Sequence, residues 1–215
     1  MSYQIVAEIL DDLVDRYPVL VRCKTDIWQA YQILEKCYRG NNKLLIAGNG
    51  GSSADADHIV GELMKGFKLH RKIPSNVTEQ LLRLDEKRGR KLSDNLQGAL
   101  PAIALHNHTA LSTAYLNDVD GTLAFAQQVY GYGVKDDVLL AISTSGNSEN
   151  VIQSALVAKV KGLKVIALSG KSGGYLKELA EVSIVVGEDE TYKIQELHLP
   201  IYHALCLMLE YTFFD

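Results

Sequence analysis

The chain has 215 residues, 47% of them hydrophobic and 22% charged, and 26 acidic against 22 basic side chains give a formal net charge of −4 at pH 7. This length fits one domain with a substantial core, and the composition is that of a water-soluble globular protein. The acidic balance argues against nucleic acid as the main partner. No apolar stretch reaches the ~18 residues that would cross a membrane.

The cysteines and the N-terminus predict the compartment. Cys23, Cys37 and Cys206 are odd in number and lack paired spacing, so we expect free buried thiols in a reducing environment. The first 17 residues mix carboxylates with apolar residues, unlike a signal peptide. Together these features predict a cytoplasmic protein.

The predicted elements begin with two amphipathic helices, at residues 3–17 and about 20–38. Five short apolar runs typical of buried parallel strands follow: Lys43–Gly48, Leu100–Leu105, Asp137–Ser143, Lys164–Ser169 and Val182–Val186. Helices are predicted at Ser53–Lys65, Thr109–Tyr130, Asn147–Lys161, Gly174–Ala180 and Ile194–Phe214. This alternation predicts one α/β domain over residues 1–215, with N-terminal helices in residues 1–40 and a three-layer, doubly wound, five-stranded parallel sheet.

Residues 70–99 interrupt this alternation, because a segment of that length is too long for a plain strand-to-helix connection. The alternating charges of Glu86–Lys91 are typical of a solvated surface helix. The alternative is an insertion that acts as a lid or as an oligomer contact near the site.

Two loops at the predicted carboxyl edge of the sheet have the chemistry of a phosphate site, and open α/β sheets bind ligands at this edge. Residues 48–53 have the sequence Gly-Asn-Gly-Gly-Ser-Ser, which lets backbone amides approach a ligand closely. Residues 143–148 have the sequence Ser-Thr-Ser-Gly-Asn-Ser, whose four hydroxyls and following helix start can bind phosphate without a lysine. The same residue types suit ordinary helix caps and turns, so each loop has a purely structural alternative.

Acid–base candidates lie on two predicted helices. His58 and Glu62 are four residues apart, so their side chains share one helix face. Gln195 and His203 are about 12 Å apart along a straight helix axis, too far to share one ion. They could share one if Pro200 kinks the helix, if Gln195 precedes its regular part, or if a neighbouring subunit contributes.

Other histidines and serines give weaker signals. We interpret His198 as a packed or surface histidine, and His106 and His108 as loop residues after the second strand. The serines lack a Gly-x-Ser-x-Gly elbow, and the cysteines lack a basic neighbourhood that would favour a thiolate. Neither ligand loop has the spacing of a nucleotide or dinucleotide site. The function that these motifs leave open is proton transfer on a phosphorylated small molecule, with or without a divalent ion.

In combination these motifs resemble the sedoheptulose 7-phosphate isomerase (phosphoheptose isomerase) family, which has the SIS sugar-isomerase fold. The residues that carry the resemblance are Gly48–Ser52, His58, Glu62, Ser143–Ser148, Ile194–Glu196, His198 and His203. The likeness runs from the first helix to the end of the chain and is interrupted by residues 70–99.

The resemblance implies an aldose–ketose isomerase that converts sedoheptulose 7-phosphate to a heptose 7-phosphate through an enediol, in a homotetramer with sites between subunits. The phosphate would be held by Ser143, Thr144, Ser145 and Ser148. The sugar would be bound by Asn49, Gly50, Gly51, Ser52, Glu62, Asn117, Asp118 and Gln195. A zinc ion would be held by His58, Glu62, Gln195 and His203, and Glu62 and His203 would form the acid–base pair.

Two departures from the family pattern leave the sugar open: the 70–99 insertion and the loop Ala104–His108. One alternative is an isomerase of another phosphosugar. Another is a non-catalytic SIS protein, either a sugar-phosphate sensor or a scaffold for replication-initiation proteins. Such relatives lack the helix glutamate or the last-helix histidine, and this chain has both, as Glu62 and His203.

Overall fold

A computed structural model describes residues 2–215. The helices are α1 (Ser2–Arg16), α2 (Lys24–Arg39), α3 (Gly51–Met64), α4 (Ser75–Leu84), α5 (Glu86–Asn95), α6 (Thr109–Asp118), α7 (Ala124–Tyr132), α8 (Glu149–Val160), α9 (Leu176–Leu179) and α10 (Thr191–Phe214). The strands are β1 (Leu44–Gly48), β2 (Ala102–Ala104), β3 (Val138–Ser143), β4 (Lys164–Ser169) and β5 (Val182–Val185). Short 3-10 turns lie at Pro18–Cys23, Leu105–Asn107 and Gly121–Leu123.

The five strands form one sheet in the order β2-β1-β3-β4-β5, and every neighbouring pair is parallel. Strands β1 and β3 are buried along their whole length, which explains why they appear as continuous apolar runs in the sequence. Leu44 and Ile46 of β1 face one helical layer, from α1, α2, α3 and α10, whereas Leu45 and Ala47 face the layer from α7, α8 and α9. The predicted three-layer, doubly wound fold is therefore confirmed.

The strand order creates a topological switch point between β1 and β3. From β1 the chain crosses to β2 on one side, and from β3 it continues to β4 on the other. In open α/β sheets the crevice at such a point is where ligands bind, beyond the carboxyl ends of the strands. The loops that follow β1 and β3 flank this crevice, so the fold brings together the two loops that the sequence singled out.

The predicted single helix Thr109–Tyr130 is wrong, because the structure divides it. Helix α6 ends at Asp118, a 3-10 turn follows, and α7 begins at Ala124. The carboxylate of Asp120 accepts a hydrogen bond from the Thr122 backbone N–H at 2.8 Å. An aspartate that caps in this way starts a new helical turn, so it ends the first helix and begins the next.

Residues 70–99 contain two helices where the sequence predicted one. Helices α4 and α5 form a hairpin (residues 75–95), in which no residue of α4 is buried. Gly89 lets them approach closely, because a Cβ there would lie 2.4 Å from the Leu81 carbonyl oxygen. Lys72 and Gln97 pair in an isolated antiparallel bridge at its base. The two helices pack mainly against each other, and this bridge lies where the hairpin joins the rest of the domain.

Helix α10 packs against α1, α2 and α3, and it runs from residue 191 to 214 with Pro200 inside it. None of the helices described over residues 2–215 is both long and apolar enough to cross a bilayer.

Candidate active site

The glycine loop after β1 turns sharply into α3. Gly50 has a φ of +55°, in the left-handed region that favours glycine. The hydroxyl of Ser53 donates to the Gly50 carbonyl oxygen at 2.6 Å. A Cβ on Gly51 would lie 2.4 Å from Nε2 of Gln195, so this glycine lets the end of that side chain of α10 approach closely. Gln195 therefore lies at the start of α3, at the carboxyl edge of the sheet.

The serine loop after β3 gathers its hydroxyls ahead of a helix N-terminus. The hydroxyls of Ser143 and Ser148 lie 2.9 Å apart, and that of Ser145 accepts a hydrogen bond from the Asn147 backbone N–H at 3.1 Å. Helix α8 begins at the next residue, Glu149, and its first amide N–H groups have no partner within the helix. Hydroxyls and free N–H groups at one point are what a phosphate dianion requires.

A reciprocal amide pair joins the two loops. Asn49 Nδ2 donates to Asn150 Oδ1 at 2.8 Å, and Asn150 Nδ2 donates back to Asn49 Oδ1 at 2.8 Å. Asn49 was predicted as a site residue and Asn150 was missed. The partners are 101 residues apart, so no local pattern in the sequence pointed to the pair. Its effect is to fix the glycine loop against the first turn of α8.

A cavity of about 570 Å³ opens beside these loops, within the size range of small-molecule sites. The residues that line it are Asn49, Ser112, Leu116, Asp120, Gly121, Thr122, Ser148, Glu149 and Asn150. Asn117 and Asp118 lie at the end of α6, where the Asn117 carboxamide donates to Asp118 at 2.7 Å, and they are not among the lining residues. Asp120 and Thr122 line the cavity although no motif in the sequence pointed to them.

The acid–base candidates meet between α3 and α10. Nε2 of His58 lies 3.3 Å from Nε2 of His203 and 3.4 Å from Oε1 of Glu62. The Glu62 side chain is 13% exposed, and its Oε2 has no hydrogen-bond partner within residues 2–215, with Lys65 Nζ at 3.6 Å. This oxygen is buried without a hydrogen-bond partner, so its capacity to accept a proton or a hydrogen bond is unused.

Tyr202 fixes the orientation of His58. The tyrosine hydroxyl lies 3.2 Å from Oδ1 of Asp55 and 3.1 Å from Nδ1 of His58. Because the hydroxyl has one proton and the carboxylate can only accept, the consistent arrangement has Tyr202 donating to Asp55 and accepting from His58 Nδ1–H.

His203 is held in its neutral form. Burial lowers the pKa of His203 below its ordinary value, and the neighbouring His58 lowers it further. A neutral imidazole is the form that a general base needs.

The remaining histidines behave as predicted. His198 is fully buried, and His106 lies in the turn after β2, where its Nε2 is 2.9 Å from Asp57 Oδ2. Asn107 donates to the other Asp57 oxygen at 2.7 Å. Asp57 thereby ties this turn to α3.

The structure brings together three of the four predicted zinc ligands. His58, Glu62 and His203 form one cluster, whereas Gln195 lies at Gly51, about two helical turns back along α10. Among the residues described, 2–215, no three His, Cys, Asp or Glu side chains form a group that could hold a metal ion. Glu62 lies eleven residues along α3 from Gly51, about 16 Å of helix axis. No hydrogen bond in this part of the chain joins the cluster to the serine loop.

Comparison with known proteins places the chain in a family. Residues 17–170 match the model of the SIS domain family. A phosphoheptose isomerase of Geobacter sp. (strain M21) is 39% identical over 188 residues, covering 87% of this chain and 84% of that protein. One from a Nitratiruptor species is 37% identical over 213 residues, covering 99% and 100%. The solved structure of a phosphoheptose isomerase from Francisella tularensis superposes with a TM-score of 0.75 at 30% identity, covering 97% and 98%. The chain therefore belongs to the phosphoheptose isomerase family of SIS-domain proteins.

Proposed function

We propose that the protein isomerises sedoheptulose 7-phosphate to a heptose 7-phosphate through a cis-enediol. The observation that carries this proposal is the cluster of Glu62, His58 and His203 on two helices that begin at the hydroxyl-rich carboxyl edge. A sensor or scaffold would need the phosphate-binding loops but not an acid–base pair. The names of the relatives, all phosphoheptose isomerases, point to the same substrate.

The residues divide the reaction between them. The serine loop and the free N–H groups of α8 hold the phosphate and so orient the reacting end of the sugar. His203, whose pKa is lowered by burial, takes the proton from C1 and returns it to C2, while Glu62 protonates the C2 oxygen to give the enediol and then takes the proton from the C1 hydroxyl to give the aldehyde. Each such transfer contributes typically a factor of ~10² to 10⁴ in rate.

A homotetramer with sites between subunits is part of the proposal. Within one chain, Glu62 is about 16 Å of helix axis from the loop where α3 begins, which is far for one small substrate to span. A second copy that supplies its His58–Glu62–His203 cluster to the serine loop of the first would complete the site.

The proposed location is the cytoplasm. Cys23, Cys37 and Cys206 are free and buried, which supports a reducing compartment.

The donor types are those that zinc takes: imidazole nitrogen from His58 and His203, and carboxylate oxygen from Glu62. The His203 nitrogen and the Glu62 oxygen each lie within 3.4 Å of His58 Nε2, although among residues 2–215 the three side chains as placed do not form a metal-holding group. His58, Glu62 and His203 would hold the ion, with Gln195 or a partner subunit supplying a further ligand. When bound, zinc would supply Lewis-acid polarisation of the substrate carbonyl.

The test is Glu62→Gln, which keeps the size of the side chain and removes its proton exchange. We expect kcat to fall by ~10² to 10⁴ and KM for sedoheptulose 7-phosphate to change little. Glu79→Gln on the exposed hairpin is the matched control. Proton NMR in deuterated water, with ketose 7-, 6- and 5-phosphates, follows exchange at C1 and C2 and identifies the substrate.

The outcomes separate the alternatives. Near-normal turnover of the Glu62 variant would remove that residue from the mechanism. Turnover of a 5- or 6-phosphate in preference to the 7-phosphate would make the protein an isomerase of another phosphosugar. Parallel assays with a chelator and with added zinc test the metal.

A further inference from the structure

A buried ion pair lies next to the end of α3, the helix that carries His58 and Glu62. The side chains of Arg71 and Glu210 are both 0% exposed, and Arg71 Nε is 2.8 Å from Glu210 Oε1. The guanidinium also lies over the Phe214 ring, 4.6 Å from its centroid. Neither charged residue belongs to the site described above, and neither was singled out by the sequence.

The arginine caps the helix that carries Glu62. Arg71 Nη2 donates to the Glu62 carbonyl oxygen at 2.9 Å, and Nη1 donates to that of Leu63 at 2.7 Å. Carbonyls in the last turn of a helix lack partners within the helix, and α3 has no basic residue of its own there. A positive charge at this end also interacts favourably with the helix dipole. The backbone of Glu62 is therefore held directly by Arg71.

Glu210 is connected to His203, the other member of the acid–base pair, through Phe67. Glu210 Oε1 accepts from the Phe67 backbone N–H at 2.7 Å, and Oε2 accepts from that of Lys68 at 2.8 Å. The ring of Phe67 packs on the ring of His203, with centroids 5.5 Å apart. Burial alone would raise the pKa of Glu210, but these amides and Arg71 outweigh it and hold the pKa below its ordinary value. Glu210 thus stays ionised while it fixes the segment beneath His203.

We propose that Arg71 and Glu210 are positioning residues for the isomerase reaction, because one buried ion pair fixes both the backbone of Glu62 and the ring that supports His203. The inference rests on the proposed function, in which these two residues form the acid–base pair. A buried ion pair gains little net stability over well-packed apolar side chains, since desolvation offsets the attraction. Its contribution here is the distance that it sets between the acid and the base.

The experiment uses Arg71→Lys and Glu210→Gln in the full-length protein. Lysine keeps the charge but loses the planar fork that reaches three acceptors, and glutamine keeps the shape but not the charge. A displacement of about 1 Å at a reacting group costs on the order of 10²-fold in rate. We expect kcat to fall at least ~10-fold, KM to stay within ~3-fold, and the pH profile of kcat to shift. Arg88→Lys, in the exposed ion pair with Asp85, is the matched control and should stay within ~2-fold.

The outcomes distinguish this inference from the proposed function. A normal kcat in folded Arg71→Lys and Glu210→Gln, while Glu62→Gln is inactive, overturns the positioning role alone. A rise in KM at unchanged kcat also overturns it. Activity in Glu62→Gln overturns the proposed function first. If a single variant does not fold, the double variant Arg71→Met with Glu210→Met restores apolar packing without the hydrogen bonds, and the same limits on kcat and KM apply.

Discussion

Lowering the pH should weaken the fold through His198. This side chain is fully buried, and burial outweighs the hydrogen bond with the Ser169 backbone that favours its charged form. Burial lowers the pKa of His198 from 6.5 to about 4. The unfolded chain therefore binds a proton at this position between about pH 6.5 and pH 4, whereas the folded chain does not.

The direction and size of the change in the free energy of unfolding follow from this difference in proton binding. The stability is present above pH 6.5 and is lost as the pH falls, because the unfolded state binds more protons. One pKa unit corresponds to ~1.4 kcal/mol, so this shift lowers the free energy of unfolding by about 2 kcal/mol between pH 7 and pH 5. It lowers it by roughly 3 kcal/mol once the pH reaches the folded-state pKa.

The assay is urea unfolding at pH 7 and pH 5, at fixed protein concentration, for the natural sequence and for His198→Leu. The leucine variant should lose about 2 kcal/mol less than the natural sequence between the two pH values, whatever its stability at pH 7. His70→Gln, which removes an exposed histidine, should leave the pH dependence unchanged. Equal acid losses in His198→Leu and the natural sequence would refute the reasoning.

Two further substitutions test the site. Gly146→Ala should destabilise the protein by at least ~2 kcal/mol in thermal unfolding and weaken binding of inorganic phosphate, because the new Cβ would lie 1.8 Å from the Gly173 carbonyl oxygen at a φ of +67°. Gly131→Ala, whose Cβ would meet nothing within 4 Å, is the control, and a similar loss there would contradict the argument. Tyr202→Phe should lower kcat roughly 10-fold, since it removes the hydroxyl that orients His58, and should lower thermal stability by ~1–3 kcal/mol, since it leaves the Asp55 carboxylate without that partner. An unchanged kcat would show that this orientation is unimportant.

Local patterns in the sequence predicted the fold well where one element depends on its own residues. The apolar runs indicated the five strands, because strands buried on both faces need continuous apolar residues. The two ligand loops were equally local, as strings of glycine and hydroxyl residues after β1 and β3. The helix break after Asp118 was missed because it depends on one side-chain cap, at Asp120, rather than on a change in periodicity.

What could not be predicted depends on contacts between distant parts of the chain. Arg71 and Glu210 are 139 residues apart, and either one, taken alone, is an ordinary charged residue of a helical or loop segment. The same holds for Asn150, whose role follows only from the adjacency of β1 and β3. A kink at Pro200 was one way to bring Gln195 to His203, whereas in the structure Gln195 packs against Gly51 instead.

The Lys72–Gln97 bridge has a consequence for how this enzyme can change. Since the chain leaves and re-enters the domain at neighbouring points, the hairpin is a side branch whose length does not alter the register of the sheet. Doubling the length of a flexible branch costs only about 0.6 kcal/mol in closure entropy. Residues can therefore be inserted in the hairpin during evolution or by design. A foreign peptide inserted there should leave the fold of the rest of the domain unchanged.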